Sequence, residues 1–201
     1  MSSLKANVQK LGRAMLLPVA AMPLAAIATD ALQAAANKTN TIPVIGAAGN
    51  AVFGNLDILF AIGVTIGFAK TKDKGIPALT GFLAIATLKK GLEIMNPAVN
   101  MGIFGGIISG LIAAWTYNRF KEQKLPMVFS YFAGEKFPLT MVMILQTVTS
   151  VVFGFLWPFA QAGIDSFARL LVNMGALGVG IFMFLNRLLI PFGLHHVLNT
   201  Y

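Results

Sequence analysis

Residues 138–160 read PLTMVMILQTVTSVVFGFLWPFA, an apolar run that contains no charged side chain. An α-helix needs about 20 apolar residues to cross the hydrocarbon core of a bilayer, so this run predicts a transmembrane helix. Comparable stretches lie at residues 14–36, 51–69, 77–88, 101–117 and 170–191. The stretch 77–88 is short and is followed by Lys89 and Lys90. Three alternatives fit it: a tilted helix, a broken helix, or a helix extended by snorkelling lysines.

The composition of the whole chain is typical of a membrane protein. Of the 201 residues, 57% are hydrophobic and only 11% are charged, whereas soluble domains have about 45–50% apolar and about 25% charged residues. The mean hydropathy is +0.76. Too little polar surface is left to cover a water-soluble globule of this size. The chain has no cysteine, which excludes disulfides, thiolate metal sites and a cysteine nucleophile within it.

The predicted architecture is all-α, a multi-pass protein with about five to six transmembrane helices, after a short basic amphipathic helix at residues 3–13 on the membrane surface. A cytoplasmic N-terminus places ten basic residues in cytoplasmic loops and three in outer loops, as the positive-inside rule favours. The ten are Lys5, Lys10, Arg13, Lys70, Lys72, Lys74, Arg119, Lys121, Lys124 and Lys136, and the three are Lys38, Lys89 and Lys90. The net charge of +8 therefore has a membrane explanation, and no nucleic-acid partner is expected.

Glycines recur at helical spacing on two of the predicted spans. Gly102, Gly106 and Gly110 follow one another at intervals of four residues, and Gly63 and Gly67 repeat this spacing. Such a face allows another helix to approach closely. The alternative explanation is that glycine is frequent in membrane helices in general.

The densest cluster of polar residues lies near the end of the sequence and comprises Asn186, Arg187, Pro191, Gly193, His195, His196 and Asn199. Arg187 follows the apolar run GVGIFMFL. Its guanidinium offers five fixed donors, which suits sugar hydroxyls or a carboxylate, while the alternative is an arginine that snorkels at a helix end. Pro191 and Gly193 break the helix, and broken helices at membrane depth usually line a cavity.

The two histidines are adjacent in sequence, so on a helix they would point about 100° apart. No zinc-binding spacing is present, and we expect no metal site. A hydrogen bond from an imidazole to a hydroxylated ligand and a structural hydrogen bond between helices both remain open.

Two further features have structural alternatives. Asp57 either faces an interior cavity or lies at the outer edge of the second span, and the edge is favoured because the span begins nearby. Trp115, Tyr117 and Phe120 are typical of an aromatic belt at the membrane interface. The sequence has no catalytic triad, P-loop or paired carboxylates, so a transporter, a channel and a membrane enzyme all stay open at this point.

Longer strings carry a family resemblance. NLDILFAIGVTIGFAK (55–70), GIFGGIISGLIAAWTYNRF (102–120) and above all FLNRLLIPFGLHHVLNT (184–200) resemble the sugar-specific enzyme IIC component of the bacterial phosphoenolpyruvate-dependent phosphotransferase system, glucose superfamily. KKGLEIMNPAVNMGIFGGI (89–107) is most similar to the N-acetylglucosamine transporters, although glucose and maltose members share much of the pattern. The resemblance implies that residues 1–201 are the N-terminal part of an enzyme IIC membrane domain, with the dimerisation half and the start of the sugar-binding half.

The resemblance also implies a function. It implies uptake of N-acetylglucosamine across the bacterial cytoplasmic (inner) membrane by an elevator-like movement, coupled to phosphorylation by a protein-phosphohistidine-dependent phosphotransferase complex. The phosphate would come from a cysteine of a partner IIB domain or subunit, which this chain lacks. The implied substrate-binding residues are Arg187 and His195, with His196 and Asn199 beside them. The resemblance implies a homodimer, and neither a catalytic residue nor a cofactor is assigned to this chain.

A second hypothesis belongs to a different class of protein. A half-length relative that does not transport would form a membrane scaffold, with the glycines at 102, 106 and 110 as its dimer interface. A passive channel is not favoured, because the sequence has no filter motif and no ring-forming charge pattern.

Overall fold

The computed structural model of the chain describes residues 2–36, 43–123 and 125–189. In these ranges the backbone forms α1 (Ser2–Ala36), α2 (Pro43–Phe53), α3 (Leu56–Phe68), α4 (Gly75–Met95), α5 (Gly102–Phe120), α6 (Phe137–Asn173) and α7 (Ala176–Leu189). Two 3₁₀ turns, Met127–Phe132 and Gly134–Lys136, precede α6. These ranges contain no strand, so the predicted all-α fold is confirmed for them.

The first helix differs from the prediction. α1 runs without interruption from Ser2 to Ala36, so a separate amphipathic helix at 3–13 is wrong. The helix is continuous because Leu11, Met15 and Met22 recur on one side of it and join one apolar cluster with residues of α3 and α5. Lys10 lies beside this cluster, with its ammonium 5.1 Å from the centre of the Phe68 ring.

The second apolar stretch is divided between two helices. The segments Ala47–Phe53 and Leu56–Phe68 are bent by 54° relative to each other. The bend occurs at Gly54 and Asn55. The Asn55 side-chain amide donates a hydrogen bond to the Ala51 carbonyl at 2.8 Å, so one carbonyl in the last turn of α2 gains a partner. The bend places Asp57 in the first turn of α3.

The third stretch forms a longer helix than its apolar residues alone predict. α4 has 21 residues and is therefore about 30 Å long, at 1.5 Å per residue. Lys89 and Lys90 both lie within its last two turns. The helix continues past the lysines without a break, so the broken-helix alternative is wrong, while a tilt and snorkelling relative to a membrane stay predictions.

Helices α3, α4 and α5 pack against one another, α1 packs against α3, and α6 packs against α4 and α5. Two apolar clusters hold this bundle together. The first joins Met15, Met22, Phe60, Val64, Ile103 and Ile107. The second joins Ala61, Ile85, Leu88, Leu92, Met101 and Trp157.

The glycine face of α5 is occupied within the chain. A side chain at Gly106 would overlap the backbone of Asp57, and a side chain at Gly110 would meet the Ala61 carbonyl. The predicted close approach of another helix is therefore confirmed, and that helix is α3. The hypothesis that this face forms a dimer interface is wrong, because α3 of the same chain already covers it.

One side of α6 faces the bundle and the other is open. Val142, Gln146, Ser150 and Trp157 are buried, whereas Ile144, Val148, Phe155 and Phe159 are exposed. Within the described ranges, Gly134–Asn173 is the one helical segment with both the length and the hydropathy of a membrane span, and the bent α2–α3 pair passes the same test together. In the most apolar 18-residue stretch of that segment, only 22% is buried inside the bundle. An open apolar face suits lipid, while the total of five to six spans stays a prediction.

The last apolar stretch is divided as well. Its first residues complete α6, and α7 begins at Ala176. Gly175 lies between the two helices with φ +57°, a conformation that glycine adopts readily and that ends α6. Gly178 then packs against the backbone of Leu171, so α7 folds back onto α6.

The aromatic belt is contradicted at Tyr117, and the place of Trp115 and Phe120 at the membrane interface stays a prediction. Trp115 is exposed and packs edge-on against Phe120. Tyr117 is only 1% exposed, because it points into the bundle and away from the interface. The prediction for Tyr117 is wrong.

Candidate functional site

The predicted sugar contacts are described by the structure at one residue only. Arg187 lies in the last turn of α7, and its side chain is exposed. His195, His196 and Asn199 lie outside the described residues. The grouping of these four side chains in one site therefore stays a prediction.

A cavity of about 460 Å³ lies at one end of the bundle. The break between α2 and α3, the end of α4 and the beginning of α5 form its walls. Its polar lining includes Asp57, Lys89, Glu93 and Asn100, and its apolar lining includes Phe53, Leu88 and Val99. The volume is within the range of small-molecule sites, which is about 300–1,000 Å³.

An ion pair between α3 and α4 lies in the wall of this cavity. Lys89 Nζ is 2.7 Å from Asp57 Oδ2, and the two side chains are 47% and 12% exposed, respectively. The other carboxylate oxygen of Asp57 accepts a hydrogen bond from the backbone N–H of Ile58 at 2.9 Å. A carboxylate in the first turn of a helix is also favoured by the helix dipole. Asp57 is thus both at the edge of its helix and in a cavity wall, so each sequence alternative is correct in part.

A second ion pair lies near the first, after the apolar residues of α4. Lys90 Nζ is 2.6 Å from Glu93 Oε2, and both groups are exposed. The two carboxylates in the cavity wall are thus each paired with a lysine of α4. Within the described ranges, no three His, Asp or Glu side chains converge as metal ligands would.

The position of Asp57 depends on a missing side chain. Gly106 of α5 lies directly against the Asp57 backbone, with no room between them for a Cβ atom. A residue larger than glycine would push the first turn of α3 away from α5. Gly106 therefore acts as a positioning residue for the Asp57 carboxylate.

The segment between α4 and α5 is fixed by α6. The indole N–H of Trp157 donates to the Asn100 carbonyl at 3.2 Å, and the Asn100 backbone N–H donates to Gln161 Oε1 at 3.4 Å. The Asn100 side chain accepts from the Gly102 backbone N–H at 2.9 Å, where α5 begins. Trp157 is therefore hydrogen-bonded to a residue of the cavity wall.

The opposite end of α3 is basic. Asn118 of α5 accepts a hydrogen bond from the Lys70 N–H at 2.7 Å and donates one to the Phe68 carbonyl at 3.0 Å. Lys121 donates to the Lys70 carbonyl at 2.8 Å. Because Lys10 also contacts Phe68, basic residues from three separate parts of the sequence meet at this end.

A protein-family model matches almost the whole chain. The model described as "Phosphotransferase system, EIIC" matches residues 12–201. The chain belongs to the EIIC family.

The relatives of this EIIC chain include several with a named sugar. It is 41% identical over 193 residues to the "PTS system N-acetylglucosamine-specific EIICB component" of Bacillus subtilis (strain 168). It is 42% identical over 192 residues to the "PTS system N-acetylglucosamine-specific EIICBA component" of Escherichia coli (strain K12). It is 34% identical over 229 residues to the "PTS system glucose-specific EIICBA component" of Staphylococcus carnosus (strain TM300). Each match covers 96% of this chain.

The EIIC chain is shorter than these relatives. It spans 42% of the length of the Bacillus subtilis protein, 29% of the Escherichia coli protein and 34% of the Staphylococcus carnosus protein. The similarity therefore concerns one part of each relative.

Sequence reasoning missed the partner of Asp57 in this EIIC chain. Snorkelling was one of three alternatives for the end of this stretch, and no partner was predicted for Lys89, because the apolar run was taken to end at Leu88. Continued helical spacing through Leu92 was the available signal, since Leu88 and Leu92 lie on one face and are both buried.

Proposed function

We propose that this EIIC chain is part of a transporter that takes up N-acetylglucosamine and phosphorylates it. The observation that carries the proposal is the identity of 41–42% to two N-acetylglucosamine-specific relatives over 96% of the chain. The glucose-specific relative is less similar, at 34%. N-acetylglucosamine is therefore favoured over glucose as the substrate.

The proposed transporter crosses the bacterial cytoplasmic membrane several times, with its N-terminus inside. The described helices support this orientation, because Lys10, Lys70 and Lys121 lie at one end of α3 and the cavity lies at the other. The positive-inside rule assigns the basic end to the cytoplasm. The cavity then opens toward the outside.

Arg187, His195, His196 and Asn199 are proposed to hold the sugar. Arg187 has the donors that sugar hydroxyls accept, and its exposure leaves it accessible. Phosphate is proposed to come from the phosphohistidine-dependent relay through a cysteine of a IIB domain or subunit. The names EIICB and EIICBA of the relatives support a IIB partner. The homodimer of the family resemblance would use a surface other than the glycine face of α5.

A chimera tests the proposed function directly. This chain replaces the matched 193-residue segment of the Bacillus subtilis relative, and the chimera is expressed in bacteria that lack their own N-acetylglucosamine uptake. Uptake of labelled N-acetylglucosamine should be restored. Unlabelled N-acetylglucosamine should compete with it, and the same concentration of glucose should compete less.

Two arginine variants of the chimera locate the site. Arg187→Ala should lower uptake about tenfold or more, because charged hydrogen bonds are worth about 1.5–3 kcal/mol. Arg169→Ala is the matched control, since Arg169 is also exposed and lies on α6, and it should leave uptake unchanged. Equal loss in both variants, at equal expression, removes Arg187 from the sugar site. No uptake by a folded chimera contradicts the proposed function.

A further inference from the structure

The cavity at the end of α3 presents two kinds of surface to a ligand. Phe53, Leu88 and Val99 provide apolar contact, and Asp57, Lys89 and Asn100 provide polar atoms. A ligand that uses both must itself have polar edges and less polar faces. Sugars and related polyols have this character, since hydroxyl groups surround a carbon framework.

Charge balance in the wall disfavours an ionic ligand. Asp57 is paired with Lys89 at 2.7 Å, and Glu93 is paired with Lys90 at 2.6 Å. An added cation would meet the Lys89 ammonium, and an added anion would meet the two carboxylates. A neutral ligand encounters neither repulsion and leaves both pairs intact.

The Asp57–Lys89 pair keeps hydrogen-bonding capacity beyond its own contact. A carboxylate has about four lone-pair positions, and Asp57 uses one oxygen for Ile58 and the other for Lys89. An ammonium has three donors, and one of those on Lys89 is directed to Asp57. Acceptors and donors therefore lie side by side, which fits hydroxyl groups that donate and accept at once.

We propose that this cavity is a second ligand site, distinct from Arg187, that binds a neutral polyhydroxylated small molecule. That the molecule is the transported sugar itself rests on the proposed function above. In the proposed orientation, the cavity receives the sugar at the outer end of the bundle. Asp57 and Lys89 are then binding residues, and Gly106 positions Asp57.

Trp157 provides a built-in reporter for this site. The chain has two tryptophans, and Trp157 donates its indole N–H to Asn100 in the cavity wall. In a Trp115→Phe background, fluorescence of the purified chain in nanodiscs reports Trp157 alone. N-acetylglucosamine is the first probe, glycerol is the generic polyol, and glucose 6-phosphate is the anionic sugar.

The variants separate this cavity from the Arg187 site. N-acetylglucosamine should change the fluorescence in a saturable manner, and glucose 6-phosphate should not. Asp57→Asn and Lys89→Met should each weaken the response about tenfold or more. Lys72→Met, the matched control, removes a lysine near the other end of α3 and should leave the response unchanged. Circular dichroism checks that each variant is folded, and Lys89→Met keeps the test valid if Asp57→Asn does not fold.

Each other outcome has a definite meaning. No saturable response to N-acetylglucosamine or glycerol overturns the inference. A response that Arg187→Ala removes while Asp57→Asn and Lys89→Met retain it also overturns the inference, but leaves the proposed function standing. A response that depends on Asp57 and Lys89, together with an inactive chimera, supports the cavity and contradicts the proposed function. If glycerol binds as tightly as N-acetylglucosamine, the result supports a neutral polyhydroxylated ligand and overturns the assignment of the cavity to the transported sugar.

Discussion

At the scale of single residues, the absence of a side chain at Gly106 fixes the packing of α5 on α3. Gly106→Ala should lower the free energy of unfolding by about 1–3 kcal/mol, because the new methyl group overlaps the Asp57 backbone and the helices must separate. Gly163→Ala in α6 is the matched control, since nothing lies within 4 Å of its added Cβ. Alanine favours helix over glycine by about 1 kcal/mol, so the control should be neutral or stabilising. Thermal unfolding in detergent measures both, and equal effects would contradict the proposed contact.

Two polar side-chain atoms are buried in the bundle without a hydrogen-bond partner among the described residues. They are Ser109 Oγ and Gln146 Oε1, and the Gln146 amide reaches the Ser109 carbonyl only at 3.5 Å. An unpaired buried polar group costs about 1–3 kcal/mol. Gln146→Leu and Ser109→Ala should therefore leave stability unchanged or raise it. A clear fall in the unfolding midpoint of either variant would mean that a buried water or another group pairs with that atom.

At the scale of helices, α6 has an apolar face that is open and a second face that is covered. Phe155 is 66% exposed, whereas Trp157, two residues later, is 7% exposed and packs against Phe104 and Phe153. In a Trp115→Phe background, a tryptophan at position 155 (Phe155→Trp with Trp157→Phe) should be quenched strongly by brominated lipids. The native Trp157 should be quenched much less. Similar quenching at both positions would contradict a lipid-facing outer side of α6.

The sequence predicts the helices better than it predicts their ends. The apolar runs identify all-α structure, because helical spacing and length are local properties of the chain. The break at Gly54–Asn55 and the reversal at Gly175 lie inside apolar runs, where hydropathy gives no signal. The turn residues themselves were the available signal, since glycine and asparagine end helices in known ways. The continuous α1 differs for another reason: contacts with α3 and α5 extend the helix across the predicted boundary.

At the scale of the whole molecule, packing partners could not be read from the sequence. The spacing of Gly106 and Gly110 predicts a close helix contact, but nothing local states whether the partner is α3 or a second copy. The same holds for Asp57 and Lys89, which lie on different helices and meet only in the folded bundle. Of the predicted sugar contacts, Arg187 alone lies within the described residues.

The bundle has a basic end and a cavity end, and this polarity makes the orientation testable. The chain contains no cysteine, so single cysteines can be introduced without a background. Lys72→Cys lies between α3 and α4 near the basic end, and Glu93→Cys lies at the cavity end; both positions are exposed. In intact cells, a membrane-impermeant maleimide should label the cysteine at 93 and should label the cysteine at 72 only after lysis. The reverse pattern would place the N-terminus outside, and labelling of both in intact cells would mean that α4, the helix between the two positions, does not cross the membrane.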